Sequence, residues 1–148
     1  MLRAKWMAVA LLVTLLLSGC ESLGRGPTAI SRDGEDVLIA LCTELDSPRL
    51  SAGVETSDGW STFLDANTAA TLPGDTVLRS GPLPEGFAGT FSRFDFNNVR
   101  GLVITFEGSG KDQSVMSAFD GSPDVQIPAT GWLHTDGRVT TVACGSTS

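Results

Sequence analysis

Two kinds of hydrophobic pattern divide this chain. Trp6 to Leu17 is a single apolar run, interrupted only by Thr14. Further on, apolar residues come in short bursts separated by Gly, Pro, Asp and Asn. Val37 to Thr43 is apolar at consecutive positions, which predicts a central strand covered on both faces. Leu50, Ala52 and Val54 alternate with Ser51, Gly53 and Glu55, the period-two pattern of a half-buried strand. Asp58-Gly59 predicts a turn before Trp60 to Leu64, and Pro73-Gly74-Asp75 another before Thr76 to Arg79. Phe94-Asp95-Phe96 predicts a short strand ending at Asn97-Asn98. Leu102, Ile104 and Phe106 alternate with Val103, Thr105 and Glu107, the clearest core strand in the chain. Glu107 to Asp112 predicts a loop, and Ser114 to Phe119 the next strand. Last, Trp132 to Thr135 and Arg138 to Cys144 flank Asp136-Gly137, the strongest short-range signal for a hairpin.

Together these bursts predict roughly eight or nine short strands over about 110 residues, with no helical period. The pattern implies an all-β domain: an antiparallel β-sandwich of immunoglobulin-like type, with a small β-barrel as the alternative. Residues 36–148 are expected to form this single domain, because a chain of 148 residues can bury one core. Glu21 to Glu35 contains Gly24, Gly26, Pro27 and Gly34 with few large apolar side chains. Residues 20–35 are therefore expected to be a flexible tether, with a reach of roughly 20 Å for about 15 residues.

The apolar run near the start has a separate meaning. It follows the positive stretch Met1-Leu2-Arg3-Ala4-Lys5 and leads into Leu17-Ser18-Gly19-Cys20. At about 12 residues it is shorter than the roughly 20 of a membrane-spanning helix, and it fits the apolar region of an export signal. With these residues the N-terminus resembles the signal peptides of bacterial lipoproteins, whose lipobox is a branched apolar residue, two small residues and a cysteine. The resemblance covers the first 20 residues. It implies removal of residues 1–19, a diacylglycerol on the Cys20 sulfur, and a further acyl chain such as palmitate on the new amino group. Two or more acyl chains give stable anchoring, at about 0.8 kcal/mol per buried methylene. The implied location is the cell membrane, lipid-anchored, on its extracytoplasmic face. Among the ten basic residues only Lys5 and Lys111 are lysine, and Tyr is absent, which makes the chain similar to small lipoproteins of high-GC bacteria.

Charge and cysteines narrow the picture further. Seventeen acidic groups against ten basic ones give a net charge of −7. Nucleic acid is excluded as a partner, since phosphate binding needs clustered Lys and Arg. Of the three cysteines, lipidation of Cys20 leaves Cys42 and Cys144. An even pair in an exported protein is expected to bond. A Cys42–Cys144 disulfide would close a loop of about 100 residues, worth about 4.7 kcal/mol in the chain-entropy limit. Each cysteine ends a strand candidate and neither belongs to a C-x-x-C motif, so a structural staple is expected, with two free buried thiols as the alternative.

Catalytic chemistry has little to build on. His134 is the sole histidine, beside the Asp136-Gly137 turn where exposure is expected, and no nucleophile-elbow motif accompanies it. No catalytic residue is assigned. A His/Cys metal site fails on count. Asp33, Glu35 and Asp36 cluster, as do Asp120 and Asp124, but neither group has the spacing of a calcium-binding EF-hand loop. Solvated turn carboxylates are expected, with no metal and no cofactor. Trp60, Phe91, Phe94 and Trp132 remain as the candidate binding surface. In a small sandwich such aromatics belong more often to the core, and the Gly- and Pro-bearing stretch from Phe87 to Phe96 is where an exception is expected. These readings imply a membrane-anchored, non-catalytic binding module for an envelope protein, a cell-wall polymer or a small solute. An accessory or structural subunit of an envelope complex is the alternative, and a hydrolase a distant third.

Overall fold

The computed structural model describes residues 27–121 and 123–145; the signal region and Cys20 lie outside them. Among the described residues every regular element is a strand. In chain order these are β1 (Thr28–Asp33), β2 (Asp36–Leu41), β3 (Leu45–Asp46), β4 (Arg49–Thr56), β5 (Gly59–Thr68) and β6 (Thr71–Leu72). They continue with β7 (Val77–Arg79), β8 (Phe87–Phe91), β9 (Gly101–Glu107), β10 (Ser114–Asp120), β11 (Trp132–Leu133) and β12 (Val139–Thr140). A first sheet has the order β12-β11-β1-β2-β7, a second the order β10-β9-β4-β5-β8, and β3 pairs with β6 alone. All pairs are antiparallel. The order β1-β2-β7 against β10-β9-β4 has the strand arrangement of an immunoglobulin-like sandwich, A-B-E against G-F-C. An isolated bridge from Gly81 to Phe91 links β8 to the chain leaving β7. The two ladders otherwise stay separate, so the molecule is a sandwich and not the barrel alternative.

Alternation sorts the side chains. Ile30, Ile39 and Leu78 are register partners across the first sheet, and Leu133 joins Ile30 from β11. In the second sheet Leu50 pairs with Phe106, Ala52 with Ile104, and Val54 with Leu102. All of these are buried and form one apolar cluster with Leu64, Phe91 and Phe119. Each fully buried Leu, Ile or Phe side chain contributes about 1.5–3 kcal/mol over its exposed state. That term holds the two sheets face to face.

Three segments depart from expectation. Residues 28–33 form β1, a central strand, where a tether was expected. Every residue of β1 has a register partner on β2, and Thr28 to Ser31 are buried. Small and polar residue types there hide the strand from hydrophobic pattern, because Ala29 and Ser31 lie opposite the core face and still are covered. The folded domain therefore begins at least eight residues before position 36. Phe87–Phe91 is a strand, β8, while Phe94 to Phe96 is irregular. Gly89 makes β8 compatible with β5: its φ is +118°, and a Cβ there would collide with the Asp65 carbonyl and lie 2.7 Å from Ala66 Cα. The last segment is β12, which ends at Thr140, well before Cys144.

Cys42 and Cys144 form a disulfide with a sequence separation of 102. Residues 141–144 run from β12, the outermost strand, to Cys42 beside β2, and so must pass β11 and β1. His134, next to β11, is 2 % exposed, contrary to its expected exposure. The reason is this returning tail: Thr140 Oγ donates to the Val142 carbonyl at 2.7 Å, and His134 Nε2 lies 2.6 Å from the same hydroxyl. With the hydroxyl proton committed, Nε2–H is the donor. Reducing the disulfide, or replacing both cysteines with serine, is expected to cost about 2–5 kcal/mol. The check is a fall in the denaturant midpoint on adding reductant; an unchanged midpoint would show that the tail is held without it.

Candidate functional site

The outward face of the second sheet is built by register. One row across it carries Asp120, Gly101, Glu55 and Trp60 on β10, β9, β4 and β5. The next carries Ala118, Val103, Gly53 and Thr62, and the one after it Met116, Thr105, Ser51 and Asp65. Trp60 is 58 % exposed and Met116 72 %.

Trp60 owes its place to a bulge in β5. Ala52 pairs with Leu64 but Gly53 pairs with Thr62, so Phe63 is one residue too many. Phe63 and Leu64 are both buried, at 4 % and 0 %, which regular alternation does not allow in a strand with one exposed face. Counting back by twos from Leu64 would place Trp60 in the core. The extra residue reverses that parity and turns the indole outward. Phe63 is fixed in its unusual position on two sides. Its carbonyl accepts a hydrogen bond from Ser92 N at 2.7 Å, and its ring packs 4.6 Å from Phe94 and 6.1 Å from Phe91.

Two glycines give the indole its bed. A Cβ on Gly53 would lie 3.6 Å from Trp60 Cε3, and one on Gly101 would lie 3.6 Å from Trp60 Cη2. Because Gly101 belongs to β9, the indole reclines across β4 instead of standing away from the sheet. The Glu55 carboxylate lies at the same spot, 3.3 Å from the Gly101 Cβ position. Farther along the face, Arg49, Ser51, Thr105 and Glu107 line a depression of about 300 Å³. Arg49 Nη2 lies 3.7 Å from Asp65 across that end.

The four aromatics singled out in the sequence do not meet. Phe91 is a core residue, 2 % exposed, and so forms no part of a surface. It pairs with Leu64, whose inward position it must share. Phe94 is half-buried between Phe63 and Phe96, closing the end of the core. Trp132 is half-buried on β11, in the other sheet. Trp60 alone of the four lies open on a sheet face. Its neighbours there, Gly53 and Gly101, lie on the polar sides of two alternating strands, and only strand pairing brings them to Trp60.

The acidic cluster before β2 has a different fate. Asp36, with a side chain 11 % exposed, accepts from Arg79 at 2.6 Å and Arg93 at 2.5 Å, and Arg79 also reaches Asp33 at 2.9 Å. Asp36 is thus enclosed by two guanidinium groups, whereas Asp33 and Glu35 remain solvated turn carboxylates, with side chains 63 % and 90 % exposed. Among the described residues no group of three or more His, Cys, Asp and Glu side chains is placed to hold a metal ion. Glu35, Arg93, Phe94, Asp95 and Phe96 line a second depression of about 290 Å³ beside this network.

The Arg79 hydrogen bond, with Arg93 adding to it, holds the Asp36 carboxyl below its ordinary value of 3.8 against the opposing effect of burial. A depressed folded-state value stabilises the fold above the unfolded-state pKa. That contribution is lost as pH falls below about 3.8 through the folded-state value. Asp36→Asn is expected to lower the melting temperature at neutral pH and to flatten its fall in acid. A parallel acid limb in both proteins would contradict this assignment. Comparison with protein-family models, with curated proteins and with solved structures finds no match to this chain.

Proposed function

We propose that the protein is a lipid-anchored, non-catalytic binding module on the extracytoplasmic face of the cell membrane. Its recognition surface is the outward face of the second sheet, centred on Trp60. The observation that carries this reading is the indole itself, a large apolar group turned out of the core by a bulge and left 58 % exposed. Exposed aromatics laid on a rigid sheet are preformed contact area with little entropy to lose on binding.

The anchor reading draws on the lipobox at Leu17-Ser18-Gly19-Cys20 and on the disulfide, a bond that persists in oxidising compartments. Geometry is compatible with it. The described chain enters at Pro27, whose carbonyl accepts from Cys42 N at 2.7 Å, at the end of the sandwich where β2 finishes. Trp60 lies by the other end, where residues 125–128 join Val99 to Arg32. A short tether from Cys20 would then present Trp60 away from the membrane. The accessory-subunit reading has one observation in its favour: Met116, 72 % exposed on the same face, is a residue type enriched in protein interfaces.

Intact mass measurement of membrane-extracted protein tests the anchor. The expected mass is the chain from Cys20 plus acyl groups, and Cys20→Ser is expected to leave an unacylated chain. An unprocessed mass in the unsubstituted protein would contradict the anchor and leave the Trp60 face to be judged alone.

A further inference from the structure

We infer that the Trp60 face takes a neutral glycan chain, with one sugar ring on the indole and others reaching the depression lined by Arg49, Ser51, Thr105 and Glu107. This rests on reading that face as the recognition surface and names its ligand class.

The chemistry of the face matches that of a sugar. A pyranose ring has an apolar C–H face and a rim of hydroxyls, each both donor and acceptor. Trp60 offers the apolar partner, with Glu55 at its edge as an acceptor. The depression mixes a guanidinium donor, a carboxylate acceptor and two hydroxyls that serve as either. An anionic polymer would need donors alone, and a net charge of −7 opposes its approach. A cationic segment would need acceptors alone, whereas the depression sets a guanidinium and two hydroxyls beside its one carboxylate.

Shape points the same way. From Glu55 to Ser51 along β4 is four residues, about 13 Å at strand spacing. A single sugar cannot touch both features, and an oligosaccharide can. Small solutes are held in concave sites that enclose most of their surface. Here the features lie on an open sheet face, which suits a polymer passing over it. The indole lies over Gly53 and Gly101, so it rests low on the sheet with its outer side exposed to an incoming ring and Glu55 beside it.

The test uses the full-length, lipid-bearing protein in detergent micelles. The probes are a β-1,4-linked N-acetylglucosamine tetramer and a glucose tetramer, followed by saturation-transfer NMR. At least one tetramer is expected to bind, and more tightly than its monosaccharide. Trp60→Ala is expected to weaken binding by about tenfold, with the melting temperature unchanged because the side chain is exposed. Thr105→Val is expected to weaken the tetramer and leave the monosaccharide unaffected. Absence of transfer to either tetramer at millimolar concentration overturns the inference, as does equal affinity in Trp60→Ala. An arginine-rich peptide that binds in a Trp60-dependent way, with neither tetramer binding, also overturns the glycan while keeping the face. The Cys20 mass is read separately, so failure of the ligand and failure of the anchor remain distinct.

Discussion

A regular strand can show a core only every second side chain, and β5 breaks that rule once. The extra residue at Phe63 sends two consecutive apolar side chains, Phe63 and Leu64, into the interior. Everything before it in the strand then changes face. The core gains a phenylalanine that links the β8 exit, through Phe91 and Phe94, to the end of the sandwich. The surface gains a tryptophan. Burying a side chain of that size on one face and exposing another on the opposite face are thus a single structural event. Ser92 and the Phe94 ring stabilise the bulge, so the exposed indole is locked in by contacts on the far side of the sheet.

The two sheets are treated differently by the rest of the chain. On the first, the tail after β12 returns past β11 and β1 to the disulfide at Cys42, and Ala29, Ala40 and His134 are all buried. Alternation places Ala29 and Ala40 opposite the core-facing Ile30 and Ile39, so their burial means that this sheet is covered on both sides. The second sheet has mostly polar and small residues outward, with Trp60, Met116 and the half-buried Val103 as exceptions. One face closed by a covalent staple and the other left open gives the sandwich a direction. Among the described residues, the second face keeps Ser51, Trp60 and Met116 exposed.

Hydrophobic rhythm made much of this visible in advance. Leu50-Ala52-Val54 and Leu102-Ile104-Phe106 pair as register partners in the middle of the second sheet, where their alternation put them. The Asp136-Gly137 hairpin forms, and the two cysteines after strand candidates are bonded. What stayed hidden was hidden for physical reasons. β1 carries one large apolar residue, Ile30, among Thr, Ala, Ser, Arg and Asp, too few to show a hydrophobic period. β8 depends on a glycine that must approach the β5 backbone, so its sequence looks like a loop. Residue type makes Trp60 a candidate for the surface, but strict alternation from Leu64 puts it in the core, because a one-residue bulge leaves no mark in composition. Its glycine bed comes from two strands that only pairing brings together.

The central claim is that the β5 bulge turns Trp60 outward while Phe63 and Phe91 remain inside. Hydroxyl-radical footprinting of the folded protein, read residue by residue by mass spectrometry, tests it in one experiment. The account predicts fast oxidation at Trp60 and Met116, slower oxidation at Trp132, and protection at Phe63, Phe91 and His134. Protection of Trp60 to the same degree as Phe91 would contradict it, since the strand would then keep its regular alternation and the open face would lose its aromatic centre.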